Sequence, residues 1–600
     1  MKLKLFLAIG ATFAGVTTLA QQPTPPAPIS YPPNGPNPAH DSAPLYSGFV
    51  RSSFYVPVRD GTRLAMNVYR PAVNGRAVEE RLPVLFLFTP YRARFRNEEG
   101  ATVETGIAPN LGLAHMTDHG YVVAVADIRG KGASFGHRRG FQDRTEARDG
   151  YDLVEWLARQ PWSNGNIGMT GCSYLGGTTI QVASTAPPHL RAVFAGSTDF
   201  DKFDFVRQGG ITGQFNTRPD EPSSVDLASI AVDADADGAL LRAAVAEHMQ
   251  NTQMAPLWYG MPYRDSMSPL TGTRFWEEVG PYTYLDTLRR SHIAFFIWSN
   301  WTDEPAAQAL LLAANLGGRL MVGPGSHCVT PPGVDLGAVQ RHFFDPYLRG
   351  VHNGIEREPR YHWWTLDRPD GAQWTASDVL PGEGVRRTPL YLSSAASGTI
   401  RSIHDGSLAA APASPGADSF QTDYGVGNGH YFDFWPAVLD EHGLTYTSPP
   451  LAADVTMSGY PVITLDVASD QPGANIFAYL EDVAPDGVAR NISFGRLALS
   501  YRQVSRPPYD LLGLPYHSGL QADQRPVLPG QTYRIAIALG PSSKRFEAGH
   551  RLRVSIRGAD PRQRNLAEIR RTPAERITVR SGGVSHVDIP FLGPVRFAGR

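Results

Sequence analysis

Cysteine is scarce: two in 600 residues, Cys172 and Cys328, which leaves room for one disulfide at most. Charge is scarce and balanced. Charged residues are 19% of the chain, and 55 basic against 57 acidic side chains give a formal charge of −2. With no basic excess, nucleic acid is excluded as an expected partner. Long apolar runs are lacking too. The run at 5–19 is too short to cross a membrane, and no other segment reaches that length. It follows Lys2 and Lys4 and ends in Thr18-Leu-Ala20 before Gln21-Gln22. That is the layout of a secretory signal peptide cut after Ala20. No cysteine lies near the cut, so no lipid anchor is expected. These features together lead us to expect a soluble protein, secreted or periplasmic, with no membrane anchor.

What is present is apolar mass and turns. Hydrophobic residues make up 42%, with 60 glycines and 50 prolines. The length suits three or four domain-sized units and the composition suits large cores rather than disorder. Residues 21–47 are proline-rich and read as an extended arm. Asp60-Gly61, between two alternating runs, reads as a hairpin turn. Continuous apolar runs follow at 84–88, 121–126, 167–170, 192–195, 293–298 and 320–322. Runs of this kind suit strands of a parallel sheet buried on both faces. Helical patterns at 149–159 and 303–316 lie between them, which implies a doubly wound α/β domain.

That alternation stops near Asp199 and resumes near His292. The insert, helical at 223–253 and rich in aromatics after it, reads as a cap over the cleft. Its Asp233-Ala-Asp-Ala-Asp-Gly238 opens like a calcium loop, but Ala244 stands where the bidentate glutamate belongs. Helix-capping acids are the better reading. After about residue 370 short alternating strands take over, at 389–393, 462–467, 474–480, 492–501, 533–539, 552–557 and 577–579, suggesting a jelly roll or β-sandwich. The expected division is signal peptide 1–20, arm 21–47, α/β-hydrolase core 48–198 and 291–370, helical cap 199–290, and jelly-roll β domain 371–600.

The chemistry centres on Asn166-Ile-Gly-Met-Thr-Gly-Cys-Ser-Tyr-Leu-Gly-Gly177. A short strand, a tight turn with Ser173 at its apex and a small-residue helix make a nucleophile elbow. The strict pattern is G-x-S-x-G, and here Leu175 stands at the second glycine. A serine nucleophile needs a base, and the base an orienting acid, in the order serine, acid, histidine past successive strand ends. Asp303 follows the strand at 293–298, and His327 follows the strand at 320–322 through Gly323-Pro-Gly-Ser. Taken singly, Asp303 reads equally as a helix N-cap and His327 as a loop histidine; their joint order favours a triad. The Tyr91 hydroxyl and the Tyr174 amide are candidate oxyanion donors. From its residues alone, Tyr91 is equally a packed rim aromatic.

The chain resembles the superfamily of cocaine esterases, X-Pro dipeptidyl-peptidases and α-amino acid ester hydrolases. The matching segments are Arg59-Asp-Gly-Thr62, Thr89-Pro-Tyr91, Ala126-Asp-Ile-Arg-Gly130, Pro161-Trp-Ser-Asn-Gly165, Gly171-Cys-Ser-Tyr-Leu-Gly176, Asp303, Gly323-Pro-Gly-Ser-His327, Phe344-Asp-Pro-Tyr-Leu-Arg-Gly350 and Ala548 through Val554. The resemblance covers nearly all of the chain after residue 50 and accounts for the departure from the strict elbow. It implies an α/β-hydrolase core, a helical cap and a C-terminal jelly roll. It also implies Ser173 as nucleophile, Asp303 as acid, His327 as base and Tyr91 as oxyanion donor. No metal or organic cofactor is needed; the partner is a small-molecule or peptide-like acyl substrate.

Two departures qualify the resemblance. In the α-amino acid ester hydrolases, acidic residues two and three places after the catalytic aspartate help to hold the substrate ammonium; here those places are Pro305 and Ala306. Glu304 is the one acid nearby, with Asp201 and Asp204 as candidates from the cap. Cys172 precedes the expected nucleophile and Cys328 follows the expected base. Fungal feruloyl esterases and tannases show a similar Cys-Ser … His-Cys arrangement joined by a disulfide. A Cys172–Cys328 disulfide is therefore expected, with two buried thiols as the other reading. The sequence thus supports a secreted serine hydrolase of esters or amides. An X-Pro dipeptidyl-peptidase and an inert, carbohydrate-binding protein are its rivals.

Overall fold

The computed structural model describes residues 34–599 apart from 40, 218, 219, 428, 431, 432 and 434. The expected signal peptide and the arm as far as residue 33 lie outside the described residues. The hairpin at Asp60-Gly61 joins β1 (Gly48–Pro57) to antiparallel β2 (Arg63–Val73). Gly61 takes φ +84, which glycine alone adopts without a Cβ clash. The sheet continues with β3 (Leu82–Thr89), β4 (Val122–Asp127), β5 (Ser163–Cys172) and β6 (Leu190–Gly196). It closes with β7 (Ala294–Asn300), β8 (Arg319–Gly323), β9 (Tyr361–Trp364) and β10 (Trp374–Ser377). Spatial order is β1-β2-β4-β3-β5-β6-β7-β8-β9-β10, parallel from β4 to β9.

The apolar runs are continuous because both faces are covered. Val84, Phe86 and Phe88 of β3 pack into one core with Leu153 and Val154 of α1 (Arg144–Ala158), Ile180 of α2 (Tyr174–Ala183) and Leu310 of α3 (Ala306–Leu316). Leu85 and Leu87 point the other way, against Val339 and Phe343 of α4 (Leu336–Phe344). Helix α1 starts earlier than its apolar stripe because Asp143 caps it, accepting from the Thr145 and Glu146 amides. This is an α/β-hydrolase core.

Between β6 and β7, the described residues form six short α-helices, from Lys202–Arg207 to Leu285–Arg290. Trp258 and Trp276, ring centroids 5.1 Å apart, anchor their own core. Helix content at 223–253 is lower than expected. Ser223–Leu227 and Ala239–Glu247 are helical, and 228–238 forms a loop. In that loop Asp235 accepts from the Leu240 and Leu241 amides, and Asp233 pairs with Arg51. Asp235 and Asp237 accept from the first amides of Ala239–Glu247, as a helix-capping pattern suggested, while Asp233 does not.

Among the described residues, thirteen strands from Val385–Ser393 to His586–Leu592 form the C-terminal β domain around Leu390, Leu465, Leu480, Val554 and Ile589. The run read at 492–501 divides into strand Ala489–Ala498 and a 3-10 turn, Leu499–Tyr501. Strand β10 belongs to the first sheet, so the core extends past residue 370. The β domain is fastened to the core by Leu366 N donating to Ser543 O (2.8 Å) and by the Tyr460 hydroxyl donating to Ala307 O (2.8 Å).

Candidate active site

Ser173 stands between β5 and α2 with φ +66 and ψ −130. A non-glycine residue in that region carries about 1–3 kcal/mol of strain, which the surrounding packing must hold. The packing is tight. A Cβ on Gly176 would lie 2.2 Å from Gly196 O, and one on Gly171 2.3 Å from the Leu175 Cβ. The second essential glycine is therefore at 176, where α2 crosses the end of β6, and a leucine fits at 175. The Ser173 hydroxyl lies 3.2 Å from the Tyr91 hydroxyl.

Tyr91 sits just past β3 and is held by its neighbours. Its amide donates to Thr89 Oγ1, and Arg92 has φ +73. The Asp127 carboxyl accepts from the Ala93 amide at 2.6 Å and the Ala133 amide at 2.9 Å. Burial pushes that carboxyl up to about 7 despite these bonds. Two residues on, Arg129 binds Asp149 of α1 (2.5 and 2.7 Å) and Asp60 of the hairpin (3.0 Å). Asp127 thus holds the turn after Tyr91, and Arg129 ties the hairpin to α1. The Tyr174 hydroxyl is buried away from the elbow, donating to Glu146 Oε2 and accepting from the Gln142 amide. Only its amide is left for the expected role.

Asp303 and His327 meet past the ends of β7 and β8. The His327 Nδ1 lies 2.7 Å from Asp303 Oδ1. Asp303 Oδ2 accepts from Ser197 Oγ at 2.5 Å and Ser299 Oγ at 3.3 Å. Asp303 does not cap α3, whose N-cap is Pro305 with no side-chain bond. Burial works against ionising Asp303, but the His327 charge and the bonds from His327, Glu304 and Ser197 hold it below the usual carboxylate range. Cys172 and Cys328 are bonded, with Cα atoms 6.0 Å apart. The bridge ties the residue before Ser173 to the residue after His327. Cys328 (φ +57) and Ser197 (φ +45) join Ser173 and Arg92 as strained non-glycine residues around this site.

Glu304 also lines a cavity, with Ala307 and Gln308 from the core, Asp204 from the cap, and Phe494 and Arg496 from the β domain. Glu304 Oε2 is buried, 3.5 Å from His327 Nδ1. Of the two cap acids, Asp201 is occupied by Arg264 (2.6 and 2.8 Å) and the Tyr509 hydroxyl (2.8 Å). Asp204 accepts from Gln308 Nε2 at 2.9 Å and faces the cavity. Among the described residues, Asp303, Glu304 and His327 form the one acid–histidine cluster compact enough for an ion. The Nδ1–Asp303 hydrogen bond fills the space between their ligand atoms, so the cluster reads as one that holds protons. Ser197 was not singled out from sequence, and Glu304 only as the one acid near Asp303. Ser197 follows a strand end, the rule that found Asp303 and His327.

Comparison with known proteins identifies the family. Residues 60–329 match the family described as X-Pro dipeptidyl-peptidase (S15 family), and 353–579 match the X-Pro dipeptidyl-peptidase C-terminal non-catalytic domain. The chain belongs to the cocaine esterase, X-Pro dipeptidyl-peptidase and α-amino acid ester hydrolase superfamily of serine hydrolases. A Mycobacterium bovis protein named a serine esterase is 27% identical, covering 92% of this chain and 97% of that one. The cocaine esterase of Rhodococcus sp. is 26% identical over 84% of this chain and 90% of its own. A CocE/NonD family hydrolase of Staphylococcus aureus shares the fold, with a TM-score of 0.67 at 19% identity, covering 91% and 94% of the two chains. As a member of this superfamily, the chain is a hydrolase.

Proposed function

We propose that this protein is an exported hydrolase that cleaves a carboxylic ester, or an activated amide, through an acyl-enzyme on Ser173. His327 takes the Ser173 proton as the oxygen attacks the acyl carbonyl. The Tyr91 hydroxyl and the Tyr174 amide hold the oxyanion. Collapse expels the leaving group, which receives the proton from His327. A water, deprotonated by His327, then releases the acid. Asp303 orients the imidazole and balances its charge. The observation that carries the reading is the convergence of Tyr91 on the Ser173 hydroxyl and of Asp303 on His327, with the two halves joined by the Cys172–Cys328 bridge.

Two observations favour an ester over an X-Pro peptide. The places two and three after Asp303 carry no acid, and Asp201 is engaged by Arg264. Burying an N-terminal ammonium is costly unless carboxylates face it, and the two at the cavity are Asp204, already accepting from Gln308 Nε2, and Glu304, beside His327. Export is supported by the disulfide and by the signal-like N-terminus. Stoichiometric labelling by a fluorophosphonate, lost in Ser173→Ala, tests the nucleophile. A panel of nitrophenyl esters, aminoacyl esters and X-Pro anilides tests the substrate class; preference for the anilides would overturn the ester assignment. Recovery of protein starting at Gln21 from outside the cytoplasm tests export.

A further inference from the structure

Glu304 is the residue that the proposed mechanism leaves without work. Its carboxyl is buried beside two members of the triad, with ligand atoms of Asp303, Glu304 and His327 all within 4.8 Å of one another. Its Oε2 is buried with no hydrogen-bond partner among the described residues, with the Asp303 carboxyl beside it. Among the described residues its one ion-pair neighbour is His327, at 3.5 Å from Oε2. Across the cavity it faces Asp204, Arg496 and Arg562. Arg562 is taken by Asp560 at 2.9 and 3.0 Å, and neither arginine reaches Glu304. Among the described residues, no cation other than the imidazole forms an ion pair that would stabilise a second negative charge there.

Two ionised carboxylates against one imidazole would disable it as a base. Burial pushes the imidazolium down, but the charges of Asp303 and Glu304 and the Asp303 hydrogen bond outweigh it and raise His327 to about 10. An imidazole held protonated to that pH cannot take the serine proton at neutrality. Burial first, then the nearby Asp303 charge, raises the Glu304 carboxyl well above its ordinary range, while the His327 charge opposes them. A proton between two adjacent carboxyls resolves the conflict, since two like charges so close cannot both ionise cheaply.

We propose that Glu304 is a positioning residue of the triad: a neutral carboxyl that donates its proton to a hydrogen bond with Asp303 and leaves one negative charge, not two, on His327. The proposal rests on the triad reading above. In each turnover the Glu304 proton stays in place, and only the serine proton moves on and off His327. The Glu304 Oε2, a carbonyl oxygen in this state, faces Nδ1 and adds partial negative charge where imidazolium develops.

The test is the pH dependence of kcat/KM for p-nitrophenyl acetate, whose acid limb reports the free-enzyme base. The wild-type limb should have its midpoint below about 8; a midpoint above about 9 would mean Glu304 is ionised and would overturn the proposal. Glu304→Gln keeps a neutral donor, so its limb should stay within about 0.3 pH unit of wild type and its rate within about threefold. A fall of the limb by more than about one unit would overturn the proposal, because it would show that a charge had been removed. Glu304→Leu removes the donor and should lower kcat about tenfold, with Gln restoring it; equal rates for Leu and Gln would also count against it. Fluorophosphonate labelling reports whether each variant is folded, and the wild-type limb decides if a variant is not. Ser173→Ala separates the two readings: if it retains hydrolysis, the triad itself is wrong.

Discussion

Seen from the His327 imidazole, the side toward Ser173 and the side toward Glu304 are built by different means. The first is local and strained. Tyr91 and Ser173 each lie within two residues of a strand end, and Arg92, Ser173 and Cys328 all hold positive φ. The sheet delivers these groups to one edge, and short-range packing, such as Gly176 against Gly196 O, holds the turns. The second side is assembled over long range. Its cavity needs Asp204 from the cap, Gln308 from α3 and Phe494 and Arg496 from the β domain. The front is therefore set by topology, and the back by how three bodies pack. Changes at the front should act on the chemical step, and changes at the back on the state of the imidazole.

The comparison breaks most sharply at the nucleophile. Ser173→Ala should lower kcat by about 10⁵–10⁶-fold with the fold intact, measured on a nitrophenyl ester beside circular dichroism. Residual activity near wild type would mean that the front does no chemistry. Next is the bridge between elbow and histidine loop. It closes a loop of 156 residues, so Cys172→Ala with Cys328→Ala should destabilise the protein by about 5 kcal/mol in the chain-entropy model. Denaturant unfolding reads this, and an unchanged midpoint would show that the strained turns stand without the bridge. Tyr91→Phe removes the proposed oxyanion donor, whose hydroxyl lies 3.2 Å from that of Ser173, and should cost about 10²-fold in kcat with little change in KM. A change confined to KM would make Tyr91 a rim aromatic, as its sequence alone also allowed.

The front was legible in the sequence for a physical reason. Buried parallel strands must be apolar throughout, so their ends are marked, and the proposed catalytic groups stand at those ends. The order Ser173, Asp303, His327 followed from the topology, and the Asp233–Gly238 acids were separable from a calcium loop because Ala244 cannot ligate an ion. The cysteine pairing rested on resemblance, and the structure forms it. The back was not legible. Nothing in spacing tells that Arg496, on strand Ala489–Ala498, faces Glu304 almost two hundred residues away. Strands such as His404–Ala409 and Gly416–Gln421 were missed because glycine, serine and aspartate break their alternation. The core boundary at 370 fell short because β10 carries Trp374-Thr-Ala-Ser377, too brief to show a period.

The smallest expected effect separates two serines on one carboxylate. Ser197 and Ser299 both donate to Asp303 Oδ2, at 2.5 and 3.3 Å. A hydrogen bond to a charged group contributes about 1.5–3 kcal/mol when short and well aligned, and much less when long. Ser197 is also held at φ +45, with its amide donating to Trp298 O at 2.8 Å, so its hydroxyl has little freedom to retreat. Ser197→Ala should therefore cost about tenfold in kcat, and Ser299→Ala no more than about threefold. Losing the Ser197 donor also leaves the Asp303 charge less well stabilised, which should draw His327 into tighter pairing and move the acid limb of kcat/KM upward by a few tenths of a pH unit. Equal losses in the two variants would show that Asp303 is held by its burial and by Glu304 rather than by the strained turn after β6. In that case the division between a strained front and a packed back would have to be redrawn through the aspartate itself.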